Sequence, residues 1–426
     1  MDSEHTVVLP LLVAQICTRW RQTAFATPRL WARLFLQLSP DHTALLAIVN
    51  TWLVRSGGCP LTVYVFWEEP PFAARHPILD ALLAHSERWQ SMFFYMPYTA
   101  FKSLTHIRKR LPQLTSLSLG TKDEPPSSEL VGKLDVFADA PQLRSLECVN
   151  FSPLIFKFPW GHLTEVPMMA VTVDEFVDIL LQTSKLQKGG FVFMDGASRS
   201  RSRYLAPSPQ LSVYHNHRIH LCHPSLRSFT IMTPPFNSHV DLRFLFPQLS
   251  FPQLEELVIC NLNSEFCDEF VGFLGRLPCL RVLHLRKTAL GDWQLVQGLR
   301  KCVMLESLIV YSAPGQAPTV THHLLEALTW RRGDRARQKN LLPCLKMLEL
   351  TVDYNVSDDF VRMVRSRVVF VGDLPPADEL GPFVPTLPAR LEKLRIRPTE
   401  DLGDRVYTGL AEIASCGVDV SVEDLI

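Results

Sequence analysis

One nine-residue pattern of apolar and polar positions returns along this chain. LPQLTSLSL begins at Leu111, APQLRSLEC at Ala140, HPSLRSFTI at His223, FPQLEELVI at Phe251 and LPCLRVLHL at Leu277. CVMLESLIV begins at Cys302 and LPCLKMLEL at Leu342; LPARLEKLRI, from Leu387, carries one extra residue. RWQSMFF, from Arg88, is a weaker form. The template is x-P-x-L-x-x-L-x-L. Its last three positions alternate, which is the period of a β-strand. The proline ahead of most copies stops a preceding helix and is unfit for a central ladder position.

Helical patterns fill the gaps. In VTVDEFVDILLQTSKL, Thr172 and Glu175 stand at capping-box spacing ahead of Phe176, Ile179, Leu180 and Leu181. EFCDEFVGFLGRL sets Phe266, Phe270, Val271, Phe273, Leu274 and Leu277 mainly along one side, and DWQLVQGLRKC, THHLLEALTW and SDDFVRMVRS follow suit. The unit is therefore strand, loop, helix, loop. Leu226 to Leu254 is 28 residues, Leu254 to Leu280 is 26 and Leu280 to Leu305 is 25. That is the leucine-rich-repeat range, in which each unit adds one strand to a parallel sheet and one helix outside it. The expected fold is α/β: an irregular leucine-rich-repeat horseshoe with parallel strands on the concave face. Longer gaps require insertions, near 194–212 and in the basic run 331–340. A doubly wound enzyme also alternates strands and helices, but no glycine-rich phosphate loop follows any strand here.

In L-x-x-L-x-L the leucines enter the core and the intervening positions face the concave surface. Those positions include Ser116, Ser118, Glu147, Glu256, His284, Ile309, Glu349 and Arg395, with Arg286, Tyr311 and Arg397 extending the rows. Solenoids commonly bind partners on such a surface. Glu256, His284, Arg286, Tyr311, Glu349, Arg395 and Arg397 are the candidate partner-binding set. Tyr and Arg among them are favoured interface anchors.

The start of the chain has a different character. In VAQICTRWRQTAFATPRLWARLFL, Val13, Ile16, Cys17, Trp20 and Ala24 recur at spacings of three and four, which predicts a short amphipathic helix. Pro28 after Thr27 suits the first turn of a second helix, with Leu30, Trp31 and Leu34 on its apolar side. Two such helices could share a small core through Trp20 and Trp31, supported by a neighbour.

Composition narrows the function. The chain has 426 residues, is 47% hydrophobic, and carries 43 basic and 43 acidic side chains. A balanced charge argues against a broad nucleic-acid footprint. No apolar run approaches the roughly 20 residues of a spanning helix, and the acidic MDSEHT followed by a run broken at Pro10 does not fit a secretory leader. The ten cysteines are scattered without a C-x-x-C, which predicts reduced thiols in a cytoplasmic or nuclear protein. No nucleic-acid or membrane partner and no cofactor is expected.

Ile16, Cys17, Trp20, Arg21, Pro28, Leu30 and Trp31 match, one for one, the phrase VCrxWRxxAxxxPxLW. The segment thus resembles the second half of an F-box as written in the F-box/leucine-rich-repeat family of mushroom-forming fungi. The resemblance runs on loosely through AIVNTWLVRSGGCPLTVYVF and HPILDALLAHSERWQSMFF. It implies a partial F-box over 7–38 and a repeat domain over 39–424. The usual opening Leu-Pro-x-Glu phrase and first helix have no counterpart ahead of Val7, so the motif reads as truncated. In such proteins the F-box binds the Skp adaptor of a cullin–RING ubiquitin ligase, the repeats hold the protein to be ubiquitinated, and the chain carries no catalysis. The alternative is a repeat scaffold that has lost the ligase contact, with the F-box remnant serving as a cap.

Other chemistry is weaker. His215, His217, His220, Cys222 and His223 could in principle ligate zinc, but a strand splits them between two faces and no tetrahedral set follows from the spacing. His322 and His323 are adjacent at a helix start and diverge. SRSRSR (Ser198–Arg203) and RRGDRARQK (Arg331–Lys339) read as solvated loops. No nucleophile–base pair stands out, so no enzyme is expected.

Overall fold

A computed structural model describes residues 9–68, 76–122, 134–150, 152–194, 220–233, 242–262, 267–312, 319–331, 340–368 and 389–423. The chain forms two compact units, Met1–His217 and Arg218–Ile426.

The first unit opens with helices α1 (Leu9–Ile16) and α2 (Thr18–Phe25). They are not one helix. Cys17 between them is extended, at φ −161° and ψ 174°, so the spacing of Ile16 and Trp20 no longer places them on a shared buried face. Ile16 is 65% exposed and Trp20 51% exposed, so Trp20 does not join Trp31 in a core. Nor does a second long helix follow Thr27. Pro28–Trp31 is one 3-10 turn, and Arg33–Gln37 is strand β1. Leu34 and Leu36 alternate into the core there, and parallel pairing with β2 (Leu61–Phe66) outweighs the period-four match of Leu30 with Leu34. Trp31 alone is the anchor: fully buried, it donates from Nε1 to Ala24 O at 2.8 Å and meets Trp52 edge-on at 5.8 Å. Trp52 lies on helix α3 (Thr43–Arg55).

Helix α4 (Pro77–Leu83) precedes β3 (Trp89–Tyr95), and β4 (Ser116–Gly120), β5 (Ser145–Val149), β6 (Glu165–Val171) and β7 (Lys188–Phe193) follow. All pair in parallel, in chain order. Helix α5 (Val173–Gln182) carries the expected capping box, with Thr172 Oγ accepting from Glu175 N at 3.3 Å and Glu175 Oε2 accepting from Thr172 N at 2.9 Å. Its Phe176 packs edge-on against Phe191 and Phe193 of β7, fixing which sheet face the helix covers.

The second unit repeats the plan. A two-residue pair, β8 (Leu221–Cys222) with β10 (Leu249–Ser250), stands apart. The main array runs β9 (Ser228–Met232), β11 (Glu256–Cys260), β12 (Val282–Arg286), β13 (Ser307–Tyr311), β14 (Met347–Val352), β15 (Lys393–Pro398) and β16 (Asp419–Val422), each parallel to its neighbour. Helices α6 (Cys267–Leu274), α7 (Asp292–Leu299), α8 (His322–Leu328), α9 (Ser357–Arg367) and α10 (Asp404–Ser415) lie between strands in sequence. Phe229 meets Phe251, which meets Phe273 of α6, so the second unit also builds its core between strands and helices. Each repeated phrase ends in one of these strands. An order that never reverses along the chain is unlike a doubly wound sheet and is compatible with a solenoid.

Two local devices sustain the stacking. Asn150 and Asn261 leave their strands at φ 64° and 61°, the left-handed turn that Asn tolerates better than most residues. Gly298 of α7 admits α6: a Cβ there would lie 2.8 Å from Leu274 Cδ1. One buried charge also needs an account. Arg367, 1% exposed, donates to Leu328 O at 2.8 Å, Leu342 O at 3.1 Å and Leu341 O at 2.7 Å. Burial pushes its pKa down to about 10, so it stays charged at neutral pH. The basic run begins and ends beside this clamp: Arg331 N donates to Asn340 Oδ1 at 2.9 Å and Asn340 Nδ2 returns a bond to Arg331 O at 2.8 Å. Residues 332–339 and 195–212 of the expected insertions, with Ser198–Arg203 among them, lie outside the described residues, as does Phe266.

Trp31→Ala should cost about 3–5 kcal/mol, the usual range for emptying a large aromatic core site. Trp20→Ala should change stability by less than about 0.5 kcal/mol, as exposed substitutions do. Thermal melting of the two variants checks the contrast.

Candidate functional site

The matched N-terminal motif divides into two kinds of residue. Trp31 is core, and Leu30 is half-buried beside it. Ile16, Cys17, Trp20, Arg21 and Pro28 are exposed. Arg21 Nε donates to Ala14 O at 2.8 Å and ties α2 to α1. Leu12 and Ile16, one helical turn apart, both face solvent, and Leu11, Trp20 and Phe25 are exposed nearby in sequence. Arg55 of α3 lies over the rings of Phe25, at 3.9 Å, and Trp31, at 4.6 Å. Contiguous apolar surface left in water marks an interaction site more often than scattered apolar side chains do.

The second surface lies on β11 to β15. The leucines of the repeated phrase are buried and the residues between them form cross-strand rows. One row runs Val258, His284, Ile309, Glu349 and Arg395; at the strand ends stand Arg286, Tyr311 and Arg397. Glu349 does not present itself to solvent: it is 2% exposed. A buried carboxylate must be paired to stay charged at tolerable cost. The Tyr311 phenol donates to its Oε1, and Arg397 Nε stands 3.5 Å from the same atom. Arg397 also pairs with Glu423 at 2.7 Å, as a close ion pair without well-aligned hydrogen bonds at Nε. Two guanidiniums approach the Tyr311 ring, Arg397 at 4.1 Å and Arg286 at 5.7 Å from its centre. Burial first, then the hydrogen bond to Glu349, pushes the Tyr311 phenol up to about 12, so it remains a donor throughout the neutral range.

Glu256 is half-buried and accepts from Ser228 Oγ at 2.7 Å. His284 is pulled down from its ordinary value chiefly by burial, against the attraction of Glu256 and Glu349, and stays neutral at pH 7. The structure therefore gathers six of the seven expected partner-binding residues around β12 to β15 and leaves Glu256 on β11. Glu349 is a hidden brace and Tyr311 and Arg397 are what it holds.

A third feature had no forecast. On β1 to β3, Phe35 stacks on Tyr64 at 4.3 Å and 3°, Tyr64 approaches Phe93 at 6.0 Å, and Phe66 lies 4.9 Å from Phe93. Phe35, Tyr64 and Phe93 share one register row of the first unit. Its signal was the alternation in RLFLQ and LTVYVF, hidden by the helical reading of the first of these.

The remaining chemistry does not converge. Among the described residues no group of three or more His, Cys, Asp or Glu could hold a metal. His215 and His217 lie outside the described residues. His322 pairs with Asp359, and His323 lies 3.6 Å from Asp292, so the two imidazoles do diverge. All ten cysteines are free thiols. No helix among the described residues is long and apolar enough to cross a membrane. No protein-family model matches the chain, and no curated protein matches it.

The depressed His284 has a signed consequence. Above the unfolded value near 6.5 the ring is neutral in both states and contributes nothing. As pH falls below that value the unfolded chain takes up a proton that the folded site resists, so stability drops until the lowered folded pKa is passed. His284→Gln should therefore lose less stability between about pH 6.5 and 5 than the parent does. Melting temperatures across that window measure the difference.

Proposed function

We propose that this protein is a non-catalytic adaptor that binds a protein target on the open sheet face of its repeats and delivers it to a Skp/cullin/F-box ubiquitin ligase. The repeats are read as leucine-rich and the N-terminal helices as an F-box-like segment. The observation that carries the reading is the division of one motif into a buried half and a bare half. Trp31 is locked into the first unit, while Ile16 and Trp20 spend apolar surface on water. A folding role explains the former and leaves the latter unexplained; docking of an adaptor explains it. The second requirement is a binding row, which the partly or fully exposed His284, Arg286, Tyr311, Arg395 and Arg397 of β12 to β15 would form. Free thiols fit a cytoplasmic or nuclear setting.

A scaffold without a ligase is the second reading. It is favoured by the burial of Ala14 on α1 and Ala24 on α2, as helices packed into a solenoid cap require.

Pull-down with a Skp-type adaptor separates the two. The ligase reading expects retention by the parent and at least about a tenfold loss for Ile16→Asp or Trp20→Ala, a size typical of an interface anchor. Melting should be unchanged in both variants. Folded parent protein that retains no adaptor removes the ligase role and leaves the scaffold.

A further inference from the structure

The basic side chains flanking the strands of the second unit are mostly spoken for. Arg227 pairs with Glu255, Arg281 and Lys346 with Glu306, and Lys393 with Asp419. Arg397 is held by Glu349 and Glu423. Lys287, exposed just past β12, and two arginines depart from this habit. Arg286, exposed at the end of β12, has no carboxylate partner within ion-pair distance among the described residues and lies near the Tyr311 ring. Arg395 on β15 is also without a carboxylate within ion-pair distance among the described residues, although it is the register neighbour of Glu349, whose Oε1 is already taken by Tyr311 and Arg397. Arg286 and Arg397 lie against the Tyr311 ring, and the two carboxylates there, Glu349 and Glu423, are both engaged by Arg397, while Arg395 stands beside Glu349 in register.

We infer that the partner segment held here is acidic: an extended stretch of the target protein whose Asp or Glu side chains pair with Arg286 and Arg395 across Tyr311. The inference rests on the reading of this face as the one that grips a protein, and not on the adaptor contact. Three features support it. The two arginines carry charge that the fold does not neutralise, and guanidinium forks suit carboxylates in paired geometry. Tyr311 is fixed in advance by Glu349 below and Arg397 beside it, which lowers the ordering cost of binding. His284, neutral at pH 7, adds no competing charge. The spacing sets the ligand. Arg286 and Arg395 stand on strands three steps apart, about 14–16 Å with their offset along the strands. An extended peptide crosses that gap in about four or five residues.

The probe is a random-peptide display library selected against the full chain, immobilised without any adaptor. Selected peptides should carry two acidic residues four or five positions apart. Their affinity should fall about tenfold or more in Arg286→Glu and in Arg395→Gln, weaken as salt rises, and hold in Arg405→Glu, a charge change at an exposed position of α10, away from these strands in sequence. Melting of each variant checks that the fold persists. Peptides lost in Tyr311→Ala but showing no acidic preference would overturn the inference while keeping the face as a binding surface. A selection yielding nothing that depends on Arg286, Tyr311 or Arg395 would overturn both.

Discussion

The constraint on which the structure depends is the parallel register of strands whose alternate residues are large apolar side chains, leucine above all. A slip of one residue would turn every such side chain from core to solvent. Leu257, Leu283, Leu308, Leu348 and Leu394 share one row, and all are buried. Because that row is fixed, the residues beside it are fixed as well. Glu349 reaches Tyr311, 38 residues away in sequence, only because both belong to strands in register. The polar cluster is thus a product of the core pattern.

Much of the fold was legible because the repeated phrase combines a helix stop, a buried leucine and an alternating run. Where the phrase is missing, legibility fails for identifiable reasons. Strand β6 has Pro167 in its middle, a residue that argues against a central strand. It is tolerated because the register shifts between Val166 and Met169. Strand β7 answers with Gly190, where a Cβ would come within 2.2 Å of Pro167 O. Each residue looks wrong alone, and the pair is a fitted bulge. Strand β1 was obscured by a coincidence of spacing, since Leu30 and Leu34 suit a helix turn as well as a turn followed by a strand.

The site was legible as rows of residues and not as interactions. Periodicity indicates which side chains leave the core; it does not tell which of them will bury one another. Glu349 and Arg395 occupy equivalent positions in their phrases. One is sealed under a tyrosine, and the other is left without a partner among the described residues. The difference comes from what adjoins them: Tyr311 and Arg397 converge on a single carboxylate oxygen. The same limit applies to the N-terminal motif, where an extended Cys17 decides that Trp20 is bare.

Within each unit, every strand of the main array bonds only to strands next to it in the order of synthesis. A bond such as Ser228 to Glu256 closes just 28 residues of chain. Each newly made strand therefore finds its docking edge already in place, and only a modest loop must be ordered for it to join. Such an arrangement can build from one end as the polypeptide leaves the ribosome, with no need to wait for distant segments. Damage is correspondingly local: a lesion in one layer is felt first by the layers touching it.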